Sequence, residues 1–441
     1  MTRFFAMVLL LGCSSGGGGG GGDDDDDSSG PCAPDDVQGC YAGPDETIDI
    51  GVCAGGEQVC DADGAWGACA GEVLPGEEIC GNGVDEDCDG VPDGDCPCAP
   101  TEPVVARGSA QGHHELVATG DVWGLFTRDD PSLYATILDR DGLVVAGPRQ
   151  VASGEQPRGH DATATDDGFA IVWHDDPFPD SFVRFARVGP DAEVVGDVVD
   201  VASVAGGSIE PAVAWSGDGV GVAWNDRVLP DDDVEVFFRA FDATGRPTTD
   251  AVRLTASEGA SWNVEIAWNG TGYGIEWQDG RGSGFASWFA VVDAAGTMIV
   301  AEHSIPPGAN GVLHHELAAS GDRFAVASGV LGAITLTVLD ASGVSADGRM
   351  TVGACDGSSA SVGLDAAGSG WAVAWESVYG SVGDVSLART DASGAVQGDV
   401  VHVGAGGYPS VAFSAGRIGV AWAGENTSPS LREVWFQAFC P

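Results

Sequence analysis

Residues 85–93 read Asp85-Glu86-Asp87-Cys88-Asp89-Gly90-Val91-Pro92-Asp93. Carboxylates fall at positions 1, 3, 5 and 9 of a loop with glycine at position 6. Alternate side chains of such a loop turn inward, and Gly90 permits the sharp bend. Asp85, Asp87, Asp89 and Asp93 are the candidate side-chain ligands, and Val91 offers its main-chain carbonyl. Hard oxygen donors select Ca2+ over a thiophilic metal. Asn82 and Asp95 are further oxygen donors nearby. Position 12 is Cys96 rather than glutamate, so this is not an EF-hand. The plainer alternative is an acidic turn stapled by Cys80, Cys88 and Cys96.

A second group of carboxylates is Asp175, Asp226 and Asp279, each two residues after a tryptophan (Trp173, Trp224, Trp277). With Asp176, Asp180 and Asp231–Asp233 they suggest an acidic, cation- or polyol-binding face. Their simpler role is to cap turns and pair with Arg227 and Arg281. Facing each other across a channel, they would serve as the acid and base of a glycoside hydrolase or lyase. His113-His114-Glu115-Leu116 and His314-His315-Glu316-Leu317 resemble zinc motifs. Neither completes H-E-x-x-H, since Ala118 and Ala319 take the last place. We read them as echoes of a repeat. No G-x-S-x-G, phosphate loop or Ser/His/Asp arrangement stands out, so no catalytic residue is assigned.

The chain that must position these groups has 441 residues and a formal charge of −49. It contains no lysine, and its 18 basic side chains are all arginine. Nucleic-acid binding is excluded as a leading idea, because phosphates need a cationic surface. An apolar fraction of 44% and 13 tryptophans argue against wholesale disorder.

The first 12 residues, MTRFFAMVLLLG, carry one arginine and then a short apolar run. That run is too short for a membrane-spanning helix. Leu10-Leu11-Gly12-Cys13 resembles the lipobox of bacterial lipoproteins. The resemblance implies that Cys13 becomes the lipidated first residue, attached to the outer membrane or cell surface. Residues 13–31 hold seven consecutive glycines and five consecutive aspartates, which read as a coil-like tether.

Nine of the 12 cysteines lie in residues 32–98. That density in an exported chain is a disulfide framework replacing a core. The stretch EICGNGVDEDCDGVPDGDC is similar to the metal-binding motif of MopE-like surface proteins. This resemblance covers residues 53–96. It implies a surface-anchored metal-binding module and no enzyme activity.

Residues 99–441 repeat. The anchor ending each second strand recurs as Phe126, Trp173, Trp224, Trp277, Ala327, Trp375 and Trp422. A turn beginning with aspartate and ending on glycine recurs at Asp139–Gly142, Asp242–Gly245, Asp293–Gly296, Asp340–Gly343 and Asp391–Gly394. A degenerate copy stands at Gly189–Glu193. Four short alternating strands per unit predict an all-β, seven-bladed β-propeller. The repeat resembles the VAW-x-D-x-R propeller repeats of secreted bacterial proteins. An orphan strand at Pro103–Arg107 would complete the last blade and leave no free edge. A Cys98–Cys440 disulfide would then lock the ring. Eight cysteines would pair inside the module and Cys355 would be left over.

The sequence therefore leads to a calcium-stabilised binding or adhesion module. A lipid anchor would display its propeller to a protein or glycan ligand. A propeller-based hydrolase or lyase and a structural envelope component are the alternatives.

Overall fold

The computed structural model describes residues 32–76, 85–90, 100–110, 113–153, 157–175, 181–204, 210–228, 233–256, 259–281, 286–305, 315–330, 332–345, 348–356, 361–378, 383–414, 416–424 and 432–440. The expected signal, Cys13 and tether, and Val91, Asp93 and Cys98, lie outside the described residues. The chain divides into two compact units, Met1–Pro97 and Cys98–Pro441. The described residues contain strands and one 3-10 turn, Asp45–Thr47. None of their helices is long and apolar enough to cross a membrane.

The smaller unit has little apolar core. A two-stranded sheet pairs Val37–Cys40 with Gly56–Val59. Among the described residues three disulfides hold it: Cys32–Cys60, Cys40–Cys69 and Cys53–Cys88. Cys88 thus ties the acidic loop to Cys53; Cys80 and Cys96, the other expected staples, lie outside the described residues.

The larger unit is a β-propeller. Five blades are separate four-stranded antiparallel sheets, spanning 114–153, 158–204, 212–253, 261–304 and 315–354. The expectation of seven four-stranded blades is corrected. The remaining strands form one seven-stranded sheet, because Val396–Ser414 runs unbroken for 19 residues. Its first half pairs with Gly383–Thr390 and its second half with Arg417–Gly424. Gly406 is the pivot and pairs with both Gly383 and Gly424. Its φ is +148°, and a Cβ there would lie 2.2 Å from the Ala423 carbonyl oxygen. Glycine lets the chain cross between the halves without leaving the hydrogen-bonded ladder.

The orphan strand, observed as Val104–Ala110, pairs with the last strand, Arg432–Phe439. Inner strands neighbour one another in order round the centre. Val396–Ser414 touches both Val362–Ala367 and His114–Thr119, which closes the ring. Cys440 is disulfide-bonded, to a partner outside the described residues, and Cys355 is free and buried.

The expected hairpin turns form with one geometry. At Asp139, Asp242, Asp293, Asp340 and Asp391 the Oδ1 atom accepts the N–H groups two and four residues on. The glycine three residues on has φ between +76° and +90° in all five. At the degenerate copy Ala192 takes that left-handed position, with φ +65°. The Trp anchors are buried between blades, as packing residues.

Candidate functional site

The strands nearest the axis carry the unexpected feature. His114–Thr119, Arg158–Thr165, Ser261–Trp268, His315–Ser320 and Val362–Ala367 each place one carboxylate among small apolar residues. These are Glu115, Asp161, Glu265, Glu316 and Asp365. Two cavities meet in the propeller, of about 310 Å3 and about 470 Å3. Glu115, Asp161, Glu265 and Glu316 line both, so they form a waist between them. Asp365 lines the smaller one. The only solvent these side chains meet is inside the channel.

Three of the five have structural work. Asp161 Oδ1 accepts the Ala162 N–H, and Oδ2 accepts the Val213 N–H of the next blade, both at 2.7 Å. Asp365 repeats the device with Ala366 at 2.7 Å and Phe413 at 2.8 Å. Glu115 accepts the Ser410 hydroxyl at 3.0 Å. The bonds to Val213, Phe413 and Ser410 each tie one inner strand to its neighbour. Glu265 and Glu316 are different. Among the described residues neither carboxylate has a hydrogen bond or an ion pair; only electrostatic neighbours act on them.

Burial drives all five carboxyl groups upward, because charge is costly where the surrounding protein displaces water. Asp161 is raised to about 7 and Asp365 to about 6, although backbone N–H bonds oppose the rise. Glu316 is raised to about 8 by burial and by the neighbouring Asp161. Glu115 and Glu265 rise well above the ordinary value through burial and repulsion from Glu316 and Asp161.

The larger cavity also has an imidazole-rich lining: His113, His114, His160, His174 and His315, with Arg128 and Tyr408 beside them. Burial and the Arg128 charge lower His113. Burial and His113 push His160 down to about 3, which keeps it neutral. His315 is the exception. Burial would lower it, but its Nδ1 faces the Glu276 carboxylate, so its value is raised.

The sequence-predicted loop carboxylates behave otherwise. Asp175 accepts the Trp173 indole N–H at 3.1 Å and pairs with Arg184 at 3.1 Å. Asp226 accepts the Arg227 N–H at 2.7 Å. Asp279 is fully buried and accepts from Ser261, Trp277 and Arg281. Burial alone would raise Asp279, but the Arg281 and Trp277 bonds outweigh it and hold the carboxyl low. Arg281 also grips Glu302 at 2.9 and 2.8 Å and lies 3.8 Å over the Trp288 ring. None of the three aspartates lines either cavity. Asp176, Asp180, Asp231 and Asp232 lie outside the described residues.

Sequence reasoning missed the waist. It treated Glu115 and Glu316 as repeat echoes and gave Asp161, Glu265 and Asp365 no role. The available signal was one acid in the same short inner strand of five units, as in HELVAT, HDATAT, VEIAW, HELAAS and GLDAA.

In the smaller unit Asp85, Asp87 and Asp89 each bring one carboxylate oxygen within 4.8 Å of the others. Asp85 is buried, and its Oδ1 has no hydrogen-bond partner among the described residues. Gly90 sits at φ +91°, and its N–H is donated to Asp85 Oδ2 at 3.0 Å. An unpartnered buried carboxylate oxygen among two other carboxylates fits a hard cation.

No protein-family model and no curated protein matches the chain. Comparison with solved structures finds a neuraminidase-like protein from A/bat/Guatemala/164/2009 (TM-score 0.43, 9% identity, 64% of this chain and 88% of that one). A subtype N10 neuraminidase-like protein of A/little yellow-shouldered bat/Guatemala/060/2010 gives TM-score 0.43 at 8% identity, over 65% of this chain and 95% of that one. A prolyl endopeptidase structure gives TM-score 0.42 at 13% identity, over 72% of this chain and 46% of that one. Likeness at this level says nothing about activity or ligand.

Proposed function

We infer that this chain is an extracytoplasmic, lipid-anchored binding protein whose ligand site is the propeller channel. One observation carries the reading. A cavity of about 470 Å3 lined by imidazoles opens onto buried carboxylates, two of which have no partner among the described residues. Buried, strongly perturbed titratable groups converging on a cavity mark functional sites more often than chance. The disulfides fit an oxidising compartment, and the lipobox at Cys13 fits membrane attachment.

The hydrolase or lyase reading is weaker. Acid–base chemistry needs two carboxyls pushed in opposite directions. Here burial pushes all six carboxyls that line the two cavities, Glu210 included, the same way.

The Asp85–Asp87–Asp89 cluster supports a calcium loop that stiffens the disulfide-rich unit. The remaining expected ligands, Val91 and Asp93, would complete it.

The test is a ligand screen of the full chain on glycan and small-molecule arrays, run beside Glu265→Gln and Glu316→Gln. A ligand retained by the parent and lost by both variants supports the channel. Ligands retained equally by all three proteins would overturn it.

A further inference from the structure

We propose that the channel waist binds an elongated organic cation carrying more than one ammonium group, seated against the carboxylates of Glu265 and Glu316. This rests on the channel being the ligand site and names the ligand's chemistry.

Glu265 and Glu316 line both cavities, sit close enough to repel each other, and lack protein hydrogen bonds or ion pairs among the described residues. Buried carboxylates are normally paired, because an unpaired one forfeits its hydration. Nothing cationic among the residues lining the smaller cavity answers them. Arg128 lies on the larger-cavity side, with Asp130 at 3.1 Å from its Nε. The His315 imidazole lies against Glu276, and its charge reaches Glu316 only electrostatically. A positive charge that would pair with their ionised forms is therefore a ligand's to bring.

Geometry separates an amine from a bare metal ion. Among the described residues, the one group of three carboxylate, imidazole or thiol donors close enough to share an ion is Asp85–Asp87–Asp89, in the other unit. The channel acids are too spread for one ion to gather three of them. An ammonium group instead donates three hydrogen bonds in separate directions and carries its charge on a chain. Two cavities meeting at one acidic waist suit a long, thin molecule with charge along its length. The apolar inner-strand residues between the acids, such as Leu116, Ile266 and Leu317, would contact its methylenes.

Ligand charge would draw protons off the waist. Binding at neutral pH should therefore release protons and strengthen as pH rises through about 7 to 8, where Asp161 and Glu316 ionise.

Spermidine is the probe, titrated calorimetrically into the full chain at pH 7 in buffers of different ionisation enthalpy. We expect binding with proton release. Glu265→Gln and Glu316→Gln should each weaken it about tenfold or more, the value of a charge-assisted hydrogen bond. Asp279→Asn, outside the channel, should leave affinity unchanged. Calcium displacing spermidine from the channel would assign an inorganic cation and overturn the proposal. A neutral glycan lost in the Glu265 and Glu316 variants, with no spermidine binding, would overturn it while leaving the channel as the ligand site. No channel-dependent ligand of any kind would overturn both.

Discussion

The Ser410 hydroxyl donates to Glu115 Oε1 at 3.0 Å and accepts the Leu116 N–H at 2.9 Å, across almost the whole propeller sequence. This links the start of the first blade to the second half of the long strand Val396–Ser414. Asp161 and Asp365 make the same kind of tie between other neighbours. Glu115, Asp161 and Asp365 thus hold the ring, whereas Glu265 and Glu316 make no hydrogen bond or ion pair among the described residues.

Ser410→Ala removes one donor from a buried carboxylate and one acceptor from a buried N–H. We expect a loss of about 1–3 kcal/mol, read from urea denaturation, with the fold retained. Ser410→Thr, which keeps the hydroxyl, should lose less. Equal loss in both variants would show that packing, not the bond, is what matters.

Stability should fall as pH rises from about 6.5 to about 8. The sign follows from linkage. Carboxyls raised in the fold bind more protons there than in the unfolded chain, so their contribution is complete at low pH and disappears through the folded value. His315, also raised, acts in the same direction. His160, lowered to about 3, acts oppositely only below the ordinary histidine value of about 6.5. Glu316→Gln should flatten the slope and raise the melting temperature at pH 8 by about 2–4 °C. A wild-type chain more stable at pH 8 than at pH 6.5 would contradict this.

Asp279 and Arg281 should behave as a structural pair. Asp279→Ala leaves Arg281 with Glu302 as its one carboxylate partner among the described residues and leaves the Trp277 N–H without its acceptor. The expected cost is about 3 kcal/mol, measured by chemical denaturation. Ligand affinity, measured on protein that remains folded, should not change.

Calcium should stabilise the smaller unit. At a hundred times its dissociation constant a bound ion adds about 2.7 kcal/mol. A chelator should lower the unit's melting transition, and Asp85→Asn should abolish the calcium response. An unchanged transition with and without calcium would remove the metal from the account.

Much of this was legible in the sequence, for reasons that differ by residue. The Asp139-type turns announce themselves because only a short side-chain acceptor followed by a left-handed residue makes that hairpin. The Trp anchors are visible because most units place a large buried side chain at one register, Ala327 being the exception. The acidic loop is visible because its ligands are adjacent in the chain. The fused sheet was not, because no residue pattern marks Gly406 as pairing with two strands at once. The waist was not, because its acids lie about fifty residues apart and meet only when the ring closes. A single acid in a short apolar strand looks like an edge residue; five brought to one axis do not.

The most direct test of the channel as the ligand site is hydrogen–deuterium exchange of the full chain with and without saturating spermidine. The account predicts protection concentrated in the inner strands, Ser261–Trp268 and His315–Ser320 above all. Protection confined to the loops beyond Asp175, Asp226 and Asp279 would contradict it, and no protection anywhere would overturn spermidine as the ligand.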